Sequence, residues 1–243
     1  MIFYRTKTGN YHKKKSKECE DIVKYCETEK FIITAIADGA TMCKFGKLGA
    51  FYATEAAIDF VKIEENSIFS YSERELCYLL TEHIIYTIEK NEGTDRKKSE
   101  YGSTLTMAVM RKNDGKVVIV KIGNGKCVIN KKNRAYDPFD TRNVHKLAYL
   151  TTTDMAYRAA SVSYEQFEYG EYAVICTDGM LSLLQKKYTN KTMTRILKNI
   201  TPLQLTNYLE DSDEEDDAGF LILTRMPPDK EILQENRQRT CLL

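Results

Sequence analysis

Short apolar runs punctuate this chain, and several of them end or begin on an acid. Phe31–Ala37, FIITAIA, is a continuous apolar run and predicts a buried strand that stops at Asp38-Gly39. Tyr172–Thr177, YAVICT, predicts a second, again halted by an Asp-Gly pair at Asp178-Gly179. Phe220–Thr224, FLILT, predicts a closing strand just after Asp216-Asp217. A further strand starts at Ile22-Val23, directly after Glu20-Asp21.

Other stretches carry a helical period. Leu48, Phe51, Tyr52, Ala56, Ile58 and Val61 recur at helical spacing within Gly46–Ile63, and Leu76, Leu79, Leu80, Ile84 and Ile88 within Glu73–Glu89. Both are long helices whose apolar stripes face a core. Thr104–Met110 and Lys116–Ile122 alternate about the turn Asn113-Asp114-Gly115, a hairpin signal. Gly123-Asn124-Gly125 turns the chain into Lys126–Asn130. Asn133–Lys146 is polar and predicts a loop, and shorter helices are expected near Thr192–Asn199 and Pro202–Leu209. The order separates a helix pair from hairpin strands, which predicts an α+β layered domain rather than alternating βαβ units. One domain over residues 1–226 with a tail over 227–243 is the simplest division of the 243 residues.

Composition narrows the function classes. Thirty-six Lys and Arg against 35 Asp and Glu leave a net charge of +1, so nothing draws the chain as a whole to nucleic acid or an anionic membrane. No stretch is long and apolar enough to span a bilayer, and the N-terminus lacks a signal-peptide core. Seven scattered cysteines without a CxxC pair argue against zinc and for free thiols in the cytoplasm.

The acids carry the chemistry. An Asp-Gly after a strand is by itself ordinary turn chemistry, and the acidic run Asp211–Asp217 by itself a solvated loop. Several strand-end acids gathered at one sheet edge would repel one another unless cations neutralise them. Hard oxygen donors suit Mg²⁺ or Mn²⁺. Two such ions activate water for phosphoester hydrolysis.

Six short motifs occur in an order that resembles the protein phosphatase 2C (PPM-type) family, in its compact bacterial branch. They are Gly9-Asn10-Tyr11-His12 with Cys19-Glu20-Asp21; Ala37-Asp38-Gly39 with Gly46 and Leu48-Gly49-Ala50; Gly102-Ser103-Thr104; Gly123-Asn124-Gly125; Thr177-Asp178-Gly179; and Asp216-Asp217-Ala218. The resemblance covers residues 2–226. It implies a PP2C-like α-β-β-α sandwich of two antiparallel sheets flanked by helix pairs. It also implies a Mg²⁺/Mn²⁺-dependent phosphoprotein (Ser/Thr) phosphatase that uses a metal-activated water at a two-metal site. In it Asp38 would bridge two ions, the Gly39 carbonyl would bind one, and Asp178 and Asp216 would hold the other, with Asp217 as the alternative to Asp216. Glu20 would act through a metal-bound water, and His12 is a further catalytic candidate that could bind phosphate. Ser103 and Thr104 would be structural.

The pattern departs from the family at several points. Ala40 stands where the family has the His often assigned to protonating the leaving group, and general-acid help is worth ~10²–10⁴-fold. Asn124 and Ser182 stand where acids serve a third ion, and Gly219 where Thr is usual. Ser16 occupies the place of a phosphate-gripping Arg, with Lys13, Lys14, Lys15 and Lys17 around it. His83 and His145 carry no expected role. The partner implied is a phosphorylated protein, with a Ser/Thr kinase suggested by family analogy. The alternative reading is a catalytically weak or inactive module of this fold that binds phosphoproteins or regulates a kinase. A two-metal nuclease fits the acids alone, but the charge balance and lack of a basic aromatic stripe oppose it.

Overall fold

The structure is a computed structural model that describes residues 1–139, 150–153, 155–198 and 200–227. Ten strands and seven helices are ordered along these residues. Residues 228–243 of the expected tail, with Cys241, and residues 140–146 of the expected loop, with His145, lie outside them.

Two five-stranded antiparallel sheets stack face to face. One contains β2 (Asp21–Glu27), β3 (Phe31–Asp38), β4 (Leu105–Arg111), β5 (Lys116–Ile122) and β8 (Ser161–Gln166), paired in that order. The other runs β1 (Ile2–Lys7), β10 (Ala218–Thr224), β9 (Tyr172–Cys176), β6 (Lys126–Asn130) and β7 (Ala135–Tyr136). The period of two sorts each strand between layers. On β3, Ile32 and Ile36 enter the core between the sheets with Ile119, Ile175 and Leu221. Ile33, Ala35 and Ala37 face the opposite way, onto the helices. Both faces of β3 are therefore buried, which is why its sequence is continuously apolar.

Helices α2 (Gly46–Ile63) and α3 (Glu73–Glu92) cover the first sheet. Alanines 50, 53, 56 and 57 give α2 a flat buried face. Ser72 caps α3 through a reciprocal box with Glu75. The second sheet is covered by α5 (Asp178–Lys187), α6 (Met193–Leu197) and α7 (Pro202–Glu210), which pack Met180, Leu184, Leu197, Leu205 and Leu209 onto Val174, Phe220 and Ile222. The layering is thus helix, sheet, sheet, helix, an α+β sandwich as expected, with three helices rather than two on the second sheet. The remaining two helices, α1 (Asn10–Lys14) and α4 (Ala156–Ala159), are single turns.

Six elements differ from the sequence expectation. Strands β1 and β8 and helices α1, α4 and α5 lie outside the predicted elements, and β7 sits in the stretch expected to be loop. The two ends of α6 draw in from the expected 192–199 span.

Candidate active site

One end of the sandwich collects the acids. Asp21 opens β2 and Asp38 closes β3, and the antiparallel register sets them directly opposite each other. Asp178 begins α5 immediately after β9, while Asp216 and Asp217 lie just before β10. Because β9 and β10 also pair antiparallel, the end of one strand and the start of the other fall at the same edge.

Several side chains tie the two sheets together there. The Thr177 hydroxyl donates to Asp21 Oδ2 at 2.7 Å and accepts from the Gly219 N–H at 2.8 Å. A Cβ at Gly219 would stand 3.0 Å from Asp21 Oδ2, so the glycine leaves room for this carboxylate. Gly39 donates to the Glu20 carbonyl at 3.2 Å, and a Cβ on it would sit 2.5 Å from the Gly46 backbone. Only glycine fits where the strand end passes the start of α2. Thr104 Oγ1 accepts from the Asp38 N–H at 3.0 Å, and Ser103 Oγ meets Thr151 Oγ1 at 3.1 Å. Both hydroxyls of the Gly102-Ser103-Thr104 motif are thus occupied within the scaffold.

The acids feel one another. Burial raises the pKa of Asp38, and the charges of Asp21, Asp178 and Asp216 raise it further. Burial likewise raises Asp21, against the lowering effect of the Thr177 hydrogen bond and with Asp217 and Asp178 adding repulsion. The two carboxyls face each other across the β2–β3 ladder, and the Asp21 charge is the largest single-charge contribution raising Asp38. Asp216, at the rim, is raised by partial burial and then by Asp178. Asp178 accepts from Asn124 Nδ2 at 2.6 Å.

Asp216 and Asp217 separate by environment. Asp217 is buried and accepts from the Gly9 N–H at 2.7 Å, from the Glu20 N–H and from His12 Nδ1 at 2.8 Å. Those three bonds occupy its carboxylate within the scaffold. Asp216 is exposed and faces Asp178, which favours it over Asp217 as a donor. His12 is 2 % exposed, and its ring lies between Asp217 and Glu20. Lys13, Lys14, Lys15 and Lys17 are exposed, with Lys14 on Glu215 at 3.1 Å and Lys17 3.7 Å from Glu20.

Among the described residues, no three His, Cys, Asp or Glu side chains stand in a ready-made metal cage. The residues nevertheless fit Mg²⁺ or Mn²⁺. The donor set is all hard oxygen. Asp21 Oδ1, Glu20 Oε2 and Asn124 Oδ1 are buried oxygens without a hydrogen-bond partner, and such orphans are rare in folded proteins. Carboxyls such as Asp21, Asp38 and Asp216, whose pKa values burial and neighbouring acids raise, gain from a cation that neutralises them.

The strand-end pattern includes Asp21 without assigning it a role, and it does not single out Thr177 or Asn124. A signal for Asp21 existed in the Glu20-Asp21 doublet, which places two acids at the mouth of an apolar strand. Nothing local marks Thr177 as a partner of Asp21, because that contact exists only once the sheets are stacked.

The family model described as Protein phosphatase 2C matches residues 8–212, and the chain belongs to this family. Its fold, which supports Ser/Thr phosphatase function, recurs in bacterial proteins of low sequence identity. RsbX in complex with magnesium is 13% identical over 91% of this chain and 92% of that one, with a TM-score of 0.61. A bacterial serine phosphatase is 14% identical over 92% and 97%, with a TM-score of 0.66. The serine/threonine phosphatase Stp1 from Staphylococcus aureus is 14% identical over 92% and 94%, with a TM-score of 0.59. At such identities these structures establish the architecture alone. No curated sequence relative matches the chain.

Proposed function

We propose that this protein is a Mg²⁺- or Mn²⁺-dependent phosphoprotein phosphatase acting on phosphoserine or phosphothreonine. The observation that carries the reading is the meeting of Asp38, Asp178 and Asp216 at one end of this family's sandwich, near enough that the charges of Asp178 and Asp216 raise the pKa of Asp38. Asp38, the Gly39 carbonyl, Asp178 and Asp216 would hold two ions. When bound, such ions supply an activated water for in-line attack and neutralise charge on the phosphoryl group. Glu20, buried beside these acids, would orient water there, and no side chain serves as a covalent nucleophile. With Ala40 beside Gly39, the leaving oxygen takes its proton from solvent. The substrate is a phosphorylated protein, and a Ser/Thr kinase is the partner that family analogy suggests. The six cysteines among the described residues are free, which supports a reducing, cytoplasmic setting, and no helix among the described residues is long and apolar enough to cross a membrane.

A second reading is favoured by one observation. Asn124 places a neutral amide on Asp178 where the family pattern has an acid. A site weakened there, and lacking a His at position 40, suits a module that binds phosphoproteins or regulates a kinase with little turnover.

Hydrolysis of p-nitrophenyl phosphate and of a phosphothreonine peptide separates the two. The enzyme reading expects Mn²⁺-dependent turnover that a chelator stops and Asp38→Asn removes. Mn²⁺ binding without turnover supports the binding module, and neither binding nor turnover defeats both.

A further inference from the structure

We propose that His12 is a positioning residue that fixes the carboxylate of Glu20, acting as a rigid arm of Asp217. This deepens the metal-centred reading above and rests on it for its consequence, though not for its geometry. Asp217 accepts from the Gly9 N–H, the Glu20 N–H and His12 Nδ1. The first two partners can only donate, so Asp217 is the acceptor throughout and His12 Nδ1 carries the proton toward it. That bond fixes the ring's orientation and sends Nε2 the other way. There it stands 3.9 Å from Glu20 Oε2.

Both of these atoms are buried without a hydrogen-bond partner. His12 is 2 % exposed and Glu20 8 %. Two orphaned polar atoms facing each other across less than 4 Å in a buried niche mark an interaction site, because one proton on either atom lets the pair close to a hydrogen bond. The other Glu20 oxygen looks toward Lys17, 3.7 Å away, and the Tyr11 ring lies tilted beside the imidazole, 5.5 Å between centroids. Asp216 is the remaining charge that senses the ring. Nε2 is therefore boxed in by Glu20 and does not reach a substrate. Its action on the reaction passes through the carboxylate it holds.

The arrangement also links chain segments far apart in sequence. One carboxylate, Asp217, sets both the backbone of Glu20, through its N–H, and its side chain, through His12. A group oriented from both ends has little freedom, which is the usual value of the outer partners of a metal centre; removing such a partner typically weakens metal affinity or activity by ~10–100-fold.

The test uses the intact protein. The ring nitrogens of its three histidines are followed by ¹⁵N NMR without metal, in wild type and Glu20→Gln. The His12 Nε2 signal is expected to move while that of His83 stays. An unmoved His12 signal overturns the contact whatever the fate of the phosphatase reading. Mn²⁺ binding is then measured by calorimetry for His12→Asn, whose amide keeps a donor to Asp217 but lacks Nε2, and for His12→Gln, whose amide extends further. His12→Asn is expected to bind Mn²⁺ ~10–100-fold more weakly, with partial rescue in His12→Gln. In a Glu20→Gln background, either change at His12 should add little. Additive losses would show that His12 acts independently of Glu20 and overturn the proposal. A wild type that binds no Mn²⁺ refutes the metal reading, and the NMR result still decides the His12–Glu20 contact.

Discussion

Asp21 and Asp38 face each other across the β2–β3 ladder, and burial together with the neighbouring acid charges raises the pKa of both. Like charges directly opposite in a ladder destabilise a sheet. The pair persists here because β2 and β3 are locked by the helical layer on one side and the inter-sheet core on the other.

Asp38→Asn should therefore make the metal-free protein slightly more stable, since a neutral amide replaces one of two facing acids in a crowded, buried acidic site. A gain of about 1 kcal/mol would appear as ~2–4 °C in melting temperature. Mn²⁺ raises the melting temperature of wild type by mass action and should leave the variant unchanged. A variant that melts lower and still responds to Mn²⁺ would contradict this assignment.

Asn124 holds Asp178 through a 2.6 Å hydrogen bond. Asn124→Ala frees that carboxylate. Mn²⁺ affinity measured by calorimetry is expected to fall about tenfold or more, with the fold intact by circular dichroism. Unchanged affinity would mean that Asp178 needs no orientation from this side.

Gly179 lies in the first turn of α5, where a Cβ would come within 1.9 Å of the Asp217 carbonyl oxygen. Gly179→Ala must push apart α5 and the segment bearing Asp216 and Asp217. The expected cost is about 1–3 kcal/mol in denaturant unfolding, with weakened Mn²⁺ binding. Wild-type stability in this variant would show that the two segments are not held at this separation.

The β4–β5 hairpin supplies a pH prediction away from the site. Asp114 accepts from Arg111 Nε and Nη2 at 3.0 and 2.6 Å, and these bonds lower its pKa from the usual 3.8 to about 2. A carboxylate with a lowered folded pKa stabilises the fold above its unfolded pKa. That contribution is complete above about pH 4 and is lost as pH falls through about 2. The pair is partly solvated, so its worth is ~0.2–1 kcal/mol. Asp114→Asn should lower the melting temperature slightly at pH 7, and the gap to wild type should close near pH 2. A gap that persists unchanged at that pH would contradict the assignment.

The elements readable in the sequence are those buried on both faces or carrying a long stripe: β3, β9 and β10 by continuous apolar runs, α2 and α3 by period. The strands that escaped, β1 and β8, are sheet edges that each pair on one side only. Edge strands are half solvated and keep polar residues, as Tyr4-Arg5-Thr6 and Tyr164-Glu165-Gln166 do, so the alternation fades. Helix α5 was masked because its first residues, Asp178-Gly179, carry a turn signature. At the site, the acids at strand ends stood out as Asp38, Asp178 and Asp216. The choice between Asp216 and Asp217 depends on which one meets Gly9, His12 and Glu20, contacts that span about 200 positions of chain and leave no local trace.

The central claim is a two-metal centre at the end of the sandwich. Anomalous diffraction from crystals grown with Mn²⁺ tests it most directly. The account predicts two Mn²⁺ peaks bounded by Asp38, Asp178 and Asp216, with Asp38 touching both and Asp217 touching neither. The absence of Mn²⁺ from these carboxylates at saturating concentration, or peaks held by Asp217 instead, would contradict it.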